Sequence, residues 1–360
     1  MDEASLASGG LASKLVEDLA SAAPRASGLA CLTILLTWRC PAACDHCVFE
    51  SSPSNRTTID PDLARRAVLA AADLSPRPTL SFSGGEPFVE LAAMKELMAL
   101  GASFGMFSEV VTSCAWAASE KRARSLLKDL QDRGLRSVCV SFDRFHAPFI
   151  RAEKVRHTIL AALDLGLRVV VNTLLTPGEQ ATDPAGLADA LGVPLATIRR
   201  CFVHDQVTVP VGRARTKVEA FHTPAEPPHG GCPYVGRVGT LAPTGLLYPC
   251  CGPVVAEPPA GARLFVQADL ALSDAAQVTQ AMDDLPGDLF NQLLRTAGPY
   301  ALVSEAHRRD PRLGRVRQFV NHCDACLELS SNGGVTSAVE ALLLEMGTAC
   351  TRRVNPAPRP

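Results

Sequence analysis

The chain predicts an α/β fold: a parallel sheet with outer helices, followed by a smaller cysteine-rich domain. Three observations carry this. Strand-like and helix-like runs alternate six times between residues 31 and 215. After Arg215 the alternation lapses into the Pro-, His- and Gly-rich stretch Thr216–Gly231 and a second loop-like stretch, Gly252–Arg263. Five of the 13 cysteines fall within residues 232–326, where no clean βα repeat is visible.

In chain order, the strand candidates are Leu32–Thr37, Thr79–Phe82, Met106–Thr112, Ser137–Phe142, Arg168–Thr173 and Arg199–Val203. Helical patterns fill the gaps. Asp60-Pro61 reads as an N-cap and first helical residue, opening a stripe of Leu63, Ala67, Ala70 and Leu74. Leu91, Met94 and Met98 repeat at helical spacing. Ser119 caps a run containing Leu126, Leu127 and Leu130. Val155, Ile159, Ala162 and Leu163 form a fourth stripe that Gly166 stops, and Asp183-Pro184 opens a short fifth helix. Periodicity leaves open whether the sheet closes on itself.

The expected division is an N-terminal extension over 1–30, a core over 31–215, a small second domain over 216–330, and a helix with a Pro-rich disordered tail over 331–360. With 47% apolar and 20% charged residues, the chain has the composition of an ordinary globular enzyme. A net charge of −2 gives no electrostatic case for nucleic acid or anionic membrane. No apolar run approaches the roughly 20 residues that cross a bilayer. Asp2, Glu3, Glu17 and Asp18 exclude a signal peptide. The cysteines therefore read as metal ligands and buried thiols of a reducing, cytoplasmic setting.

Three cysteines, Cys40, Cys44 and Cys47, follow the first strand with the spacing C-x3-C-x2-C. Gly84-Gly85-Glu86-Pro87 follows the second strand. Three thiolates can hold three irons of a [4Fe–4S] cube and leave the fourth open, whereas ordinary clusters take four. Zinc is the competing reading, with His46 as fourth ligand. The order strand, cysteine loop, helix, strand, Gly-Gly-Glu-Pro resembles the radical SAM superfamily.

That resemblance implies an open (β/α)6 TIM-like barrel with its chemistry at the C-terminal strand ends. It implies that S-adenosylmethionine chelates the open iron, that Gly84, Gly85, Glu86 and Pro87 hold its methionine end, and that reductive cleavage gives a 5′-deoxyadenosyl radical able to take hydrogen from a C–H bond. His46 falls where the family carries an aromatic or His near the adenine. Further family positions for S-adenosylmethionine match Thr112 and Ser113, Ser141, Asn172 and Gly212. Singly, such residues could equally end strands or cap helices. Asp143 and His146 could bind ribose, orient substrate or carry protons, or His146 could cap the helix near Arg151. His204-Asp205, expected after strand six, is a weaker candidate for the same work.

Cys232, Gly245, Cys250 and then Cys323-x2-Cys326 resemble the half-size auxiliary-cluster (twitch) module of the same superfamily, the longer SPASM module needing more cysteines than Cys350 alone can add. The implied ligands of an auxiliary [4Fe–4S] cluster are Cys232, Cys250, Cys323 and Cys326, with Gly245 in a hairpin turn. A four-cysteine zinc site has the same ligand set. Cys251 adjoins a ligand, and adjacent residues of an extended chain face opposite ways. It is a candidate hydrogen-atom donor to a substrate radical, as in radical SAM epimerases. It could equally be a buried apolar residue or replace Cys250. Cys31, Cys114, Cys139 and Cys201 read as core.

The expected reaction is epimerisation of a carbon in a ribosomal peptide or aminosugar, with flavodoxin or ferredoxin as electron donor. The alternatives are a two-electron oxidation or peptide cross-linking that uses the auxiliary cluster as acceptor, and a colourless zinc scaffold. Peptide-modifying relatives often place a winged-helix leader-binding domain before the barrel. The short stretch before strand one implies a small substrate or a peptide held elsewhere. Aromatic residues, 5% of the chain, give no stacking platform.

Overall fold

The computed structural model describes residues 28–176, 179–221, 224, 226–256 and 263–354. Six parallel strands form the barrel wall: β1 Cys31–Thr37, β2 Thr79–Gly84, β3 Ser108–Thr112, β4 Leu135–Ser141, β5 Arg168–Leu175 and β6 Phe202–Val207. Five helices cover its outer face: α1 Pro61–Asp73, α2 Leu91–Ser103, α3 Glu120–Asp132, α4 Ala152–Asp164 and α5 Pro184–Leu191. Asp60, Ser119 and Asp183 cap α1, α3 and α5 by accepting first-turn amide hydrogen bonds, as their sequence positions predict. The helix near Arg151 begins at Ala152 with no side-chain cap, so His146 is not a helix cap.

One strand is displaced. Leu195–Ile198 folds as a helical turn, α6, and β6 starts at Phe202 rather than Arg199. His204 and Asp205 consequently lie within β6 instead of following it. The amides of Arg199, Arg200 and Cys201 bond back to the carbonyls of Leu195, Thr197 and Ile198, so these three residues close the turn instead of opening the strand.

The sheet continues past β1. Strands β7 Val238–Leu241, β8 Leu246–Tyr248 and β9 Ala268–Asp269 extend it in the order β6-β5-β4-β3-β2-β1-β7-β8-β9. β7 runs parallel to β1, while β8 and β9 return antiparallel. β6 and β9 are the two edges, so the sheet is open. The second cysteine region is thus joined to the barrel through its hairpin. Gly245 sits in that hairpin at φ +90, as expected.

The remaining helices are α7 Ala214–Lys217, α8 Ala275–Asp284, α9 Leu289–Thr296, α10 Pro299–Arg309, α11 His322–Ser331 and α12 Gly333–Val354. Among the described residues no helix is long and apolar enough to cross a membrane. Cys350 belongs to α12, and its side chain lies outside the described residues, as does the tail from Asn355.

Strand alternation separates two chemistries. On β1, Leu32, Ile34 and Leu36 are fully buried against the helices, while Cys31, Thr33 and Leu35 face an interior cavity. On β2, Leu80 and Phe82 go outward, and Thr79, Ser81 and Ser83 go inward. The outward set builds the main core with α1–α5 and α8, each such side chain contributing about 1.5–3 kcal/mol. A second core gathers β8 and α9–α12 and encloses Cys250 and Cys326. A third, of Val209, Val211, Val320 and Leu327, fastens the segment after β6 to α11.

Candidate active site

The cysteine loop leaves the C-terminal end of β1. Cys40 and Cys44 are buried, Cys47 is half-buried, and all three line one cavity of about 660 Å3. Burial pushes the thiols of Cys40 and Cys44 up to about 12, and the neighbouring thiol groups add to the effect. A cation is what allows such thiols to ionise together, so this donor set fits a metal cluster. Arg213 anchors the loop: its Nε donates to the Cys44 carbonyl at 2.9 Å and its Nη2 to the Ser51 carbonyl at 2.8 Å.

Two glycine positions are sterically required. A Cβ on Gly85 would lie 2.4 Å from the Arg39 carbonyl oxygen, where the amides of Gly85 and Glu86 donate to Thr37 and Arg39. Gly212, at φ +54, would place a Cβ 2.4 Å from the Val48 oxygen and 2.5 Å from the Cys47 oxygen. Gly212 therefore seats the cysteine loop itself.

Glu86 is 2% exposed and does not point freely at a ligand. It accepts from Thr112 Oγ1 at 2.8 Å, from the Ser113 amide at 2.9 Å and hydroxyl at 2.5 Å, and from the Phe88 amide at 3.3 Å. Burial raises its pKa, and these donors oppose that rise. The network locks the end of β2 to the end of β3. Trp116 Nε1 donates to the same Thr112 hydroxyl at 3.0 Å.

Three function-capable side chains meet beside Cys47. His46, Asp143 and His146 bring their ligand atoms within 4.8 Å of one another. Asp143 Oδ2 lies 2.9 Å from His146 Nδ1, and Asp143 Oδ1 accepts the Phe145 and His146 amides at 2.8 and 3.1 Å. Burial opposes ionisation of Asp143, but the hydrogen bond and charge of His146 and then the charge of His46 outweigh it and hold its pKa down. Burial, with His146, pushes His46 down to about 4, so its imidazole is neutral at pH 7. His46 Nδ1 is buried with no hydrogen-bond partner, an orphan beside the cavity that a bound polar group would satisfy. Asn172 Oδ1 accepts from His204 Nδ1 at 3.3 Å, and Asn172 and Ser141 line the cavity.

The second cysteine set also converges. Cys250 and Cys326 are buried in the second core, and a Cβ at Gly252 would sit 3.5 Å from Cys250 Sγ and 3.7 Å from Cys323 Sγ. Desolvation pushes Cys323 up to about 12 and Cys326 well above the ordinary thiol value, and Cys326 feels the charges of Cys323, Cys250 and Cys232. Cys251 turns the other way. It is exposed, and what it is exposed to is the cavity lined by Cys40, Cys44 and Cys47. The enclosing walls desolvate its thiolate and raise its pKa.

The cavity thus brings together Gly84, Gly85, Thr112, Ser113, Ser141, Asp143, His146, Asn172 and Cys251 with the first cysteine triplet. Pro87 is buried and opens the short 3-10 turn after Glu86. Cys114 is buried, but Cys31 lines the cavity instead of joining the core. Sequence reasoning overlooked Arg213 as the loop anchor and Glu109 as a cavity residue. A lone acid in the apolar run of β3 was the available signal for Glu109.

Comparison with known proteins follows the same outline. The radical SAM superfamily model matches residues 34–191. The protein YydG of Bacillus subtilis (strain 168), whose name assigns it to peptide biosynthesis, is 24% identical over 232 residues, covering 63% of this chain and 70% of YydG. The structure of anSMEcpe with bound AdoMet and Cp18Cys peptide superposes with a TM-score of 0.51 at 11% identity, covering 90% of this chain and 98% of that one. BtrN in complex with AdoMet and 2-DOIA gives a TM-score of 0.44 at 13% identity, covering 76% and 89%. The likeness to anSMEcpe shows a shared fold. Residues 34–191 of the chain are a radical SAM domain.

Proposed function

We propose that this enzyme epimerises a carbon centre in a peptide, with Cys251 returning a hydrogen atom to the face opposite the one attacked. The observation that carries the reading is the placement of Cys251 and Cys250. Cys251 opens onto the cavity that the first cysteine triplet lines, while Cys250 is buried toward Cys323. In this reading Cys40, Cys44 and Cys47 hold the first cluster, and Cys232, Cys250, Cys323 and Cys326 the auxiliary one. Similarity to YydG favours a peptide over an aminosugar.

When bound, S-adenosylmethionine and the [4Fe–4S] cluster supply a 5′-deoxyadenosyl radical. The hydrogen of one substrate C–H bond would pass to that radical, giving 5′-deoxyadenosine and leaving a carbon radical on the substrate. Cys251 breaks its S–H bond and forms the new C–H bond. The resulting thiyl needs one electron and one proton to become a thiol again. A one-electron donor such as flavodoxin or ferredoxin would supply this electron and, separately, the one that cleaves S-adenosylmethionine. Asp143 and His146, joined through Nδ1, hold a proton at the cavity wall and keep the His146 ring oriented. No net oxidation of substrate results.

The test is turnover in D2O with a panel of synthetic peptides, comparing the parent with Cys251→Ala. The parent should place deuterium on one carbon and invert it, while Cys251→Ala still forms 5′-deoxyadenosine but incorporates no deuterium. Equal deuterium in the variant would sink the donor role. A product two mass units lighter would support oxidation instead, with Cys232, Cys250, Cys323 and Cys326 holding the electron acceptor.

A further inference from the structure

One rung of the sheet crosses the cavity below the cysteine loop. Thr240 of β7 pairs with Thr33 of β1, Thr33 with Ser81 of β2, and Ser81 with Glu109 of β3. All four side chains line the cavity. Four adjacent strands thus present three hydroxyls and a carboxylate in a row, where a barrel interior filled for stability would carry branched apolar residues.

Two members of the row lack partners. Thr240 is 1% exposed, and its hydroxyl is buried without a hydrogen bond. Glu109 is half-buried, and among the described residues it has no hydrogen bond or ion pair. The other charged groups of the cavity are engaged: Asp143 by His146, and Arg213 by the carbonyls of Cys44 and Ser51. The β3–β4 ladder also skips a residue here, Ser108 pairing with Leu135 and Glu109 with Ser137. Such irregularities re-aim side chains beside functional sites. Closing the cavity over an unpaired carboxylate is costly unless the ligand brings a matching charge. An ammonium or guanidinium has several donors and no acceptor, which is what a carboxylate flanked by hydroxyls can take.

We propose that Thr240, Thr33, Ser81 and Glu109 form a recognition shelf for a cationic side chain of the substrate peptide, with Glu109 as its counter-charge. Glu109 lies within electrostatic reach of Cys31 and Cys251. A cation held there sets the register of the peptide and fixes which carbon faces Cys251. This specificity role rests on the peptide reading for its substrate class.

The experiment uses the reconstituted full chain with S-adenosylmethionine bound, and anaerobic calorimetry. The probes are acetyl-Ala-Ala-Xaa-Ala-Ala-amide peptides with Lys, norleucine or Glu in the centre, plus 1-aminopentane and 1-pentanol. Matched cluster absorbance in every variant confirms folding. The parent should prefer the Lys peptide over norleucine by about tenfold or more. Glu109→Gln should abolish that preference, Thr240→Val should weaken it, and Glu109→Lys should turn it toward the Glu peptide. Equal affinity for Lys and norleucine in the parent, or an unchanged preference in Glu109→Gln, overturns the shelf. Glu109-dependent binding of 1-aminopentane over 1-pentanol, with no peptide bound, supports the shelf and overturns the peptide reading. No binding of any cationic probe overturns the shelf.

Discussion

Replacing Thr112 by valine separates the hydrogen-bond network behind Glu86 from its packing, because the two side chains have nearly the same shape. Thr112 is 2% exposed. Its single hydroxyl donates to Glu86 Oε1 at 2.8 Å and accepts from the Cys114 amide and Trp116 Nε1, both at 3.0 Å. The bond to the carboxylate is worth about 1.5–3 kcal/mol. Cys114 is fully buried, so its orphaned amide adds about 1–3 kcal/mol. Trp116 is half-buried and can turn its indole to water, so it adds little. The expected loss is about 3–5 kcal/mol. Thr112→Ser keeps the hydroxyl, loses one methyl, and should cost about 1 kcal/mol. Anaerobic urea unfolding of the metal-free protein measures both. Losing a donor also pushes the Glu86 pKa further up, so affinity for S-adenosylmethionine should fall more in the valine variant than in the serine one. A valine variant within about 1 kcal/mol of the parent, or a serine variant just as unstable, would refute the network argument.

Three further outcomes follow from the geometry. Reconstituted parent should hold about eight irons, and the Cys40/Cys44/Cys47→Ala triple variant about four, read by iron analysis. Gly212→Ala should drop toward the triple variant, because its Cβ would meet the Cys47 and Val48 carbonyls and its positive φ alone costs about 1–2 kcal/mol. Full iron loading in Gly212→Ala would contradict its role as the seat of the loop. Glu305 is 4% exposed; burial opposes its ionisation, but bonds from Arg308 and Arg309 win and lower its pKa below the ordinary 4.5. Its stabilising contribution is therefore complete above about pH 4.5 and lost as pH falls through the folded value. Glu305→Gln should be about 1–2 kcal/mol less stable at pH 7, the partly exposed Arg308 limiting the loss, and the gap should close in acid. A gap that widens in acid would contradict the sign.

Much of the fold was legible because its determinants are local. Asp60-Pro61, Ser119 and Asp183 start helices by bonding amides two or three residues away, and the structure keeps each cap. The first five strands were read within a few residues, since each carries its own alternation. β6 was read three residues early because Arg199–Cys201, whose amides close the preceding helical turn, carry no breaker that sets them apart from Phe202 and Val203. The cysteine triplet and the glycine pair were visible as motifs. What Glu86 touches was not, because Thr112 and Ser113 lie 26 and 27 residues away.

By itself the sequence determined the radical SAM domain: the spacing of Cys40, Cys44 and Cys47 and the Gly84-Gly85-Glu86-Pro87 segment are local patterns that chemistry constrains. Only the tertiary structure decided what the interior holds. Register across β7, β1, β2 and β3 aligned Thr240, Thr33, Ser81 and Glu109 in one rung. The hairpin after Cys232 joined the barrel sheet and turned Cys251 into the same cavity as the first cysteines. Side-chain direction in a sheet depends on which residues pair. The pairings that make this rung join residues 28, 48 and 207 positions apart, and no local pattern records them.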